Sequence, residues 1–356
     1  MVGGPGPAAY GRRPTSAMPT GVDSTGSRAP VSSAPMHWLD RAAEIAAART
    51  PAAKRPFNLG WGDRDVVDHY LANARRVPPI PSIDPSIRPA RRSGSVVMRD
   101  LTFPSPFEML PGEISLVRAR WVTTHPEPER IVVLATPWND ETYAGRMRFA
   151  RDLLDRGIAS ILPVYPFYGD RRRPGNTGSP VPFVSDFCLM GRGAVLEGRA
   201  LARHLHESGY TVGVSGFSMG GNIAGFIGTL VDFPVAIAPL AASYAAGPPF
   251  MTGVLRNTVP WDALGGDDPD TVARLAEVVN AGSILDHPAA PHTRWAVLVA
   301  GTRDGFVPSA AVQAIHRHWP GSRLQWVNAG HASLLLKRTR LVDGIVESFE
   351  RLDAAA

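Results

Sequence analysis

Apolar positions along this chain fall into two alternating kinds of run, most regularly from about residue 130 onward. Arg130 to Thr136, Ala159 to Tyr165, Thr211 to Gly216, Val235 to Ala241, Trp295 to Ala300 and Arg323 to Val327 are short and nearly continuous in apolar character. Such runs are the mark of strands covered on both faces of a parallel sheet. Between them lie longer stretches with helical spacing. Gly145 to Asp155 sets Met147, Ala150, Leu153 and Leu154 on one face, and Ser185 to His206, Met219 to Val231, Ser309 to His318 and Leu341 to Leu352 also read as helices. Upstream, Trp38 to Ala48 and Asp65 to Ala74 predict helices, and Ser95 to Leu101 and Glu113 to Val122 predict strands bounded by Pro104, Pro106 and Pro111. Repeated strand-helix alternation predicts an α/β fold: a mostly parallel sheet with helices on both faces.

Two stretches break the pattern. Residues 1–35 hold 25 Gly, Pro, Ser, Thr or Ala and only one acidic residue, Asp23, with no period. This composition buries too little apolar surface to offset ordering entropy, so the stretch reads as a disordered tail, either dispensable or upstream of a start at Met36. Arg12-Arg13 is followed by no apolar run of leader length, so no targeting segment is read there. Phe233 to Leu255 carries no charge, but Pro234, Pro239, Pro248 and Pro249 argue against a membrane helix, and no transmembrane segment is expected. Residues 36–356 then form one domain: N-terminal helices and strands over 36–129, a core over 130–350, and a lid-like insertion over about 242–291, longer than an ordinary connection between strand and helix.

Composition narrows the picture only slightly. The 356 residues are 44% hydrophobic and 19% charged, ordinary for a globular protein. One cysteine, Cys188, excludes an internal disulfide framework. The net charge of +5 comes from 37 basic residues, all but Lys54 and Lys337 being Arg, and implies no nucleic-acid partner by itself. His204 and His206, like His316 and His318, stand two apart and point to different helical faces, so no metal site is expected. No dinucleotide or Walker fingerprint is present, and no cofactor is expected.

Candidate chemistry concentrates where strands end. Gly216-Phe217-Ser218-Met219-Gly220-Gly221 matches G-x-S-x-G at a strand-to-helix junction, where a sharp turn lifts a Ser hydroxyl above the sheet and flanking glycines avoid collisions. Chance gives on the order of 0.2 such matches in a chain this rich in Gly and Ser, so the junction carries the discrimination. A serine nucleophile needs a base and an orienting acid, expected later in the order acid, then His. Asp304 follows the Trp295 strand and His331 follows the last strand, so three strand ends deliver Ser218, Asp304 and His331 to one rim. Asp262 and Asp286 compete as acids but lie in an irregular segment. The oxyanion hole is expected from the Met219 backbone N–H and a second donor in Thr136-Pro137-Trp138-Asn139, with Trp138 preferred over Asn139 because Pro137 has no N–H.

Taken in order, several segments resemble the α/β-hydrolase-domain-containing protein 18 family: Tyr165-Pro166-Phe167-Tyr168-Gly169 and its following arginines, Val184-Ser185-Asp186, the Gly216 to Gly221 elbow, Thr252-Gly253-Val254-Leu255 with Trp261, Asp304 to Pro308, Trp319-Pro320-Gly321 and Gly330-His331. The resemblance implies an α/β-hydrolase fold and the Ser218, Asp304, His331 triad, and its lipid-deacylase relatives point to acyl-lipid esters. Thr136 to Asn139 departs from the family by lacking a glycine-containing turn.

The expected function is therefore hydrolysis of carboxylic, acyl-lipid-like esters through an acyl-serine intermediate. Acyl transfer or thioester cleavage by the same residues, and a non-catalytic binding protein of the same fold, are the alternatives. A small-molecule or lipid ester is the expected partner, with room for peripheral membrane contact, and a cytoplasmic location is expected. Arg171-Arg172-Arg173 reads either as a solvated loop paired with Asp170 or as an anion site on the rim. Phe250, Met251, Leu255 and Trp261 are candidates for an acyl pocket.

Overall fold

The computed structural model describes residues 35–355. The stretch read as a tail therefore lies, except for Pro35, outside the described residues. Ten strands join in one sheet: β1 (Ser86–Ile87), β2 (Arg91–Ser93), β3 (Val96–Pro104), β4 (Leu116–Thr123), β5 (Arg130–Ala135), β6 (Ile158–Val164), β7 (Thr211–Phe217), β8 (Ala236–Leu240), β9 (Val297–Gly301) and β10 (Arg323–Val327). Their order is β1-β3-β4-β6-β5-β7-β8-β9-β10, with β2 also on β3. From β6 to β10 neighbouring strands are parallel; β4 is antiparallel to β6 and begins the antiparallel edge.

Eleven helices accompany the sheet among the described residues: α1 (Trp38–Ala48), α2 (Arg64–Asn73), α3 (Ala144–Leu154), α4 (Val184–Glu207), α5 (Met219–Leu230), α6 (Gly247–Met251), α7 (Trp261–Leu264), α8 (Pro269–Ala281), α9 (Ser309–His318), α10 (His331–Leu334) and α11 (Arg338–Asp353). Strand β5 explains the layering. Its Ile131, Val133 and Ala135 face a core shared with α4, α5 and α9, while Val132 and Leu134 face one shared with α3 and α11. Both faces are covered, so each apolar side chain of the run is buried, and each contributes about 1.5–3 kcal/mol of transfer free energy. This is why the parallel strands read as continuous apolar runs.

Differences from the sequence reading sit at boundaries. Gly112–Ile114 and Pro291–Trp295 form single tight turns, so the following strands begin later, at Leu116 and Val297. The two- and three-residue strands β1 and β2 are solvent-exposed and leave no alternation to read. Residues 242–291 form a helical segment, α6 to α8 with connecting turns, between β8 and β9. Among the described residues no helix is long and apolar enough to cross a membrane.

Candidate active site

Close approach shapes the turn between β7 and α5. A Cβ on Gly216 would lie 2.6 Å from the Gly220 carbonyl carbon, and one on Gly220 would lie 2.4 Å from the Ala135 oxygen. Backbone atoms on both sides cannot yield, so only glycine fits there. Gly221 is equally confined, 2.8 Å from the Gly216 and Leu240 oxygens. Between them Ser218 adopts φ 58° and ψ −117°, a strained conformation for a residue with a side chain. Its N–H donates to Leu240 O at 2.8 Å, which ties the turn to β8.

Ser218, Asp304 and His331 meet at the carboxyl rim of the sheet. His331 Nδ1 lies 2.7 Å from Asp304 Oδ2, and His331 Nε2 lies 2.9 Å from Ser218 Oγ. A carboxylate only accepts, so Nδ1–H donates to it and Nε2 is left to accept from the serine hydroxyl. The other carboxylate oxygen, Oδ1, accepts the Phe306 and Val307 N–H at 2.8 Å each, which fixes the acid's orientation. The two loops are also stitched together, Thr302 N–H to Val327 O at 2.9 Å and Arg303 N–H to Ala329 O at 3.0 Å. Neither competing acid bonds the imidazole: Asp286 pairs with Arg75, and Asp262 lies exposed in α7.

Trp138 and Met219 border Ser218 in a shared cavity. As the first residue of α5, Met219 has no intrahelical acceptor for its N–H, and the Trp138 N–H donates to no protein group among the described residues. The loop is held by buried Arg146, whose Nε donates to Asp140 Oδ2 (2.7 Å) and whose Nη1 donates to Pro163 O (2.5 Å). Asn139 takes φ 61° in this turn.

The model of the family described as alpha/beta hydrolase domain containing 18 matches residues 54–290 and 270–351. The chain belongs to the alpha/beta hydrolase domain containing 18 family. Among solved structures it is similar to an acetyl xylan esterase from Paenibacillus sp. R4, at 12% identity and a TM-score of 0.53, over 84% of this chain and 98% of that one. Acetyl xylan esterase 1 from Thermoanaerobacterium sp. JW/SL YS485 is 12% identical with a TM-score of 0.49, over 84% and 98%. The first likeness shows the shared α/β-hydrolase fold.

Two spaces flank Ser218 in this member of the alpha/beta hydrolase domain containing 18 family. One is an apolar cavity of about 110 Å³ lined by Trp138, Phe187, Met219, Ile223, Phe226 and Phe250, with Leu255 at its edge. Met251 and Trp261, expected there, do not line it; Trp261 instead lies under the Arg256 guanidinium. The other is an open groove of about 730 Å³ running past His331, Asn139, Ala43, Lys54 and Arg148.

The arginine run is paired within the protein, with Arg171 buried and Arg173 keeping 39% of its side chain exposed. Arg171, 1% exposed, makes a forked pair with Glu197 at 2.7 and 2.8 Å and donates to Ile114 O and Val164 O. Arg172 pairs with Glu141 and Arg173 with Asp186, while Asp170 pairs with Arg118. Each of the three pairs with a carboxylate distant in sequence, with the Arg173 Nε left over, and short-range reading could not supply those pairings.

Three residues at the site left no mark in the sequence reading. Phe306 stacks on the His331 ring at 4.9 Å and Phe217 packs against it at 4.8 Å. Asp40, on α1, is fully buried against the loops that carry Asp304 and His331. For the phenylalanines a signal existed, since each adjoins a motif residue; for Asp40 there was none.

Proposed function

We propose that the protein is a serine esterase that cleaves carboxylic esters through an acyl-Ser218 intermediate. The observation that carries this reading is the relay from Ser218 Oγ through His331 to Asp304, at 2.9 and 2.7 Å, with Ser218 in strained backbone at the head of α5. His331 Nε2 takes the hydroxyl proton as Oγ attacks the ester carbon, and Asp304 stabilises the imidazolium through Nδ1–H. The oxyanion of the tetrahedral intermediate is met by the Met219 N–H and a donor from the Trp138 loop. Collapse expels the alcohol, which takes the proton from Nε2; water then attacks the acyl-serine by the same route in reverse and releases the acid. The apolar cavity beside Ser218 supports an acyl chain as the group transferred, and hence acyl-lipid esters as the substrate class.

Labelling with a fluorophosphonate and hydrolysis of p-nitrophenyl butyrate test the reading. Wild-type protein should label and turn over, and Ser218→Ala should lose labelling and at least about 10³-fold of kcat without unfolding. Near-normal hydrolysis by folded Ser218→Ala would overturn it.

A further inference from the structure

Helix α1 reaches the proposed active site through one side chain. Asp40 is 0% exposed, and its carboxylate accepts three backbone N–H groups: Gly305 at 2.9 Å and His331 at 2.6 Å on Oδ2, and Ala332 at 2.9 Å on Oδ1. Gly305 adjoins Asp304, so one carboxylate grips both partners of the proposed acid-imidazole pair by their own backbones. The surrounding contact is built to admit it. A Cβ on Gly330 would lie 2.6 Å from Asp40 Oδ2 and 2.5 Å from His37 Cβ, and one on Gly305 would lie 2.8 Å from Met36. His37 N–H adds a bond to Arg303 O at 3.2 Å. No Lys, Arg or His pairs with Asp40 among the described residues, so this buried charge is carried by the two loops alone.

We propose that Asp40 is a positioning residue for the reaction: it locks the Asp304 and His331 loops in register, so that Nε2 stays aimed at Ser218 Oγ, and it places a buried negative charge beside the residue that must become an imidazolium. The inference rests on the serine-esterase reading. An apolar group here would strand three backbone N–H groups, so Asp40 contributes to stability as well as to alignment, and kcat must be read beside the melting temperature to separate the two. What an apolar group cannot do is hold three N–H donors on two loops at once. An error of about 1 Å in such an alignment lowers turnover roughly 10²-fold.

The charged groups around His331 are Asp304 from the loop after β9 and Asp40 from α1. Arg146 and Arg338, tied to Asp140 and Asp152, line the adjoining groove with Lys54 and Arg148. Loss of the Asp40 charge disfavours the imidazolium, so the acid limb of the kcat/KM profile moves to lower pH.

The test compares wild type, Asp40→Asn and Ser218→Ala as full-length proteins. The readouts are kcat and KM for p-nitrophenyl butyrate, the pH profile, and the melting temperature. Asn keeps the size but removes the charge and turns an N–H₂ toward one donor. The expected result is kcat lower by roughly 10- to 100-fold with KM little changed and the acid limb displaced to lower pH. Asp40→Ser, which leaves room for a bridging water, makes the same comparison if Asn does not fold; failure of both to fold assigns Asp40 a structural role and overturns the proposal. Wild-type kcat and an unmoved acid limb in folded Asp40→Asn, with Ser218→Ala inactive, would overturn it alone. Activity in Ser218→Ala would overturn the serine reading beneath it.

Discussion

Gly191 offers a direct test of what the apolar cavity holds. The cavity follows one face of α5, from Ser218 past Met219, Asn222, Ile223 and Phe226 to Leu230. At about 1.5 Å of rise per residue that face spans about 17 Å, but the free volume of about 110 Å³ takes only a few methylenes, so a short acyl chain is the expected occupant. Gly191 lines the same cavity from α4, and a Cβ there would meet no heavy atom within 4 Å. A side chain at Gly191 therefore starts in open space at its Cβ, and the loss of a helix-interior glycine stabilises folding by about 0.5–1 kcal/mol. Stability and acyl capacity should thus move in opposite directions. Each buried methylene of a substrate is worth about 0.8 kcal/mol, close to 4-fold in kcat/KM while it finds room. Four excluded methylenes then cost on the order of 10²-fold. The assay is kcat/KM on p-nitrophenyl esters from acetate to dodecanoate, with a melting curve for each protein. Wild type should climb over the first few methylenes and then level off; Gly191→Leu should keep acetate turnover, lose the climb, and melt no lower than wild type. An unchanged chain-length profile in folded Gly191→Leu would show that the acyl chain lies elsewhere.

Two further outcomes follow from buried charge. Glu197→Ala strands the buried Arg171 guanidinium and should cost about 3–5 kcal/mol in urea unfolding, whereas Arg171→Met combined with Glu197→Leu should recover most of it; equal losses in both proteins would refute the pairing argument. The Asp186 carboxyl, whose Oδ2 has no partner, is pushed up to about 6 by burial against the opposing pull of Arg173. A folded-state value above the ordinary 3.8 means its stabilising contribution is complete below about pH 4 and is lost as pH rises through about 6. Asp186→Asn should therefore raise the melting temperature more at pH 8 than at pH 4, and a gain that is the same at both would contradict the assignment.

The sheet was legible because its central strands are buried on both faces, and a run such as Ile131 to Ala135 has no polar residue to confuse it. The candidates Ser218, Asp304 and His331 were legible for a different reason: Gly305 adjoins Asp304, Gly330 adjoins His331, Gly216 and Gly220 stand two residues either side of Ser218, and each candidate follows an apolar run. Partners chosen across the fold were not legible. Arg171 finds Glu197 and Arg173 finds Asp186 only once β6 and α4 are adjacent, and a triple arginine on a loop reads as exposed until they are. Asp40 is the extreme case. An acidic residue in the first turn of a helix already has a sufficient local explanation in the helix dipole, so nothing in the sequence asks for a second one. Only the packing of α1 on the two loops shows its carboxylate meeting three N–H groups instead of water.

Ser218 lies between a small cavity of about 110 Å³ and a groove of about 730 Å³, so under the proposed chemistry the two halves of an ester meet spaces of unequal size. With the acyl half in the smaller apolar space, added methylenes soon meet a wall, so discrimination there is steep. With the alcohol half in the larger groove, more groups find room, so the expected discrimination is shallow. Asp40 stands on the α1 side of that division, with Ala43, Ala46 and Ala47 of the same helix lining the groove. Under the proposed roles helix α1 would do two things at once: fix the imidazole that protonates the departing alcohol, and form part of the wall past which that alcohol departs. A residue on α1 that disturbs the groove without touching Asp40 alters how alcohols leave, whereas Asp40 itself alters how every ester reacts.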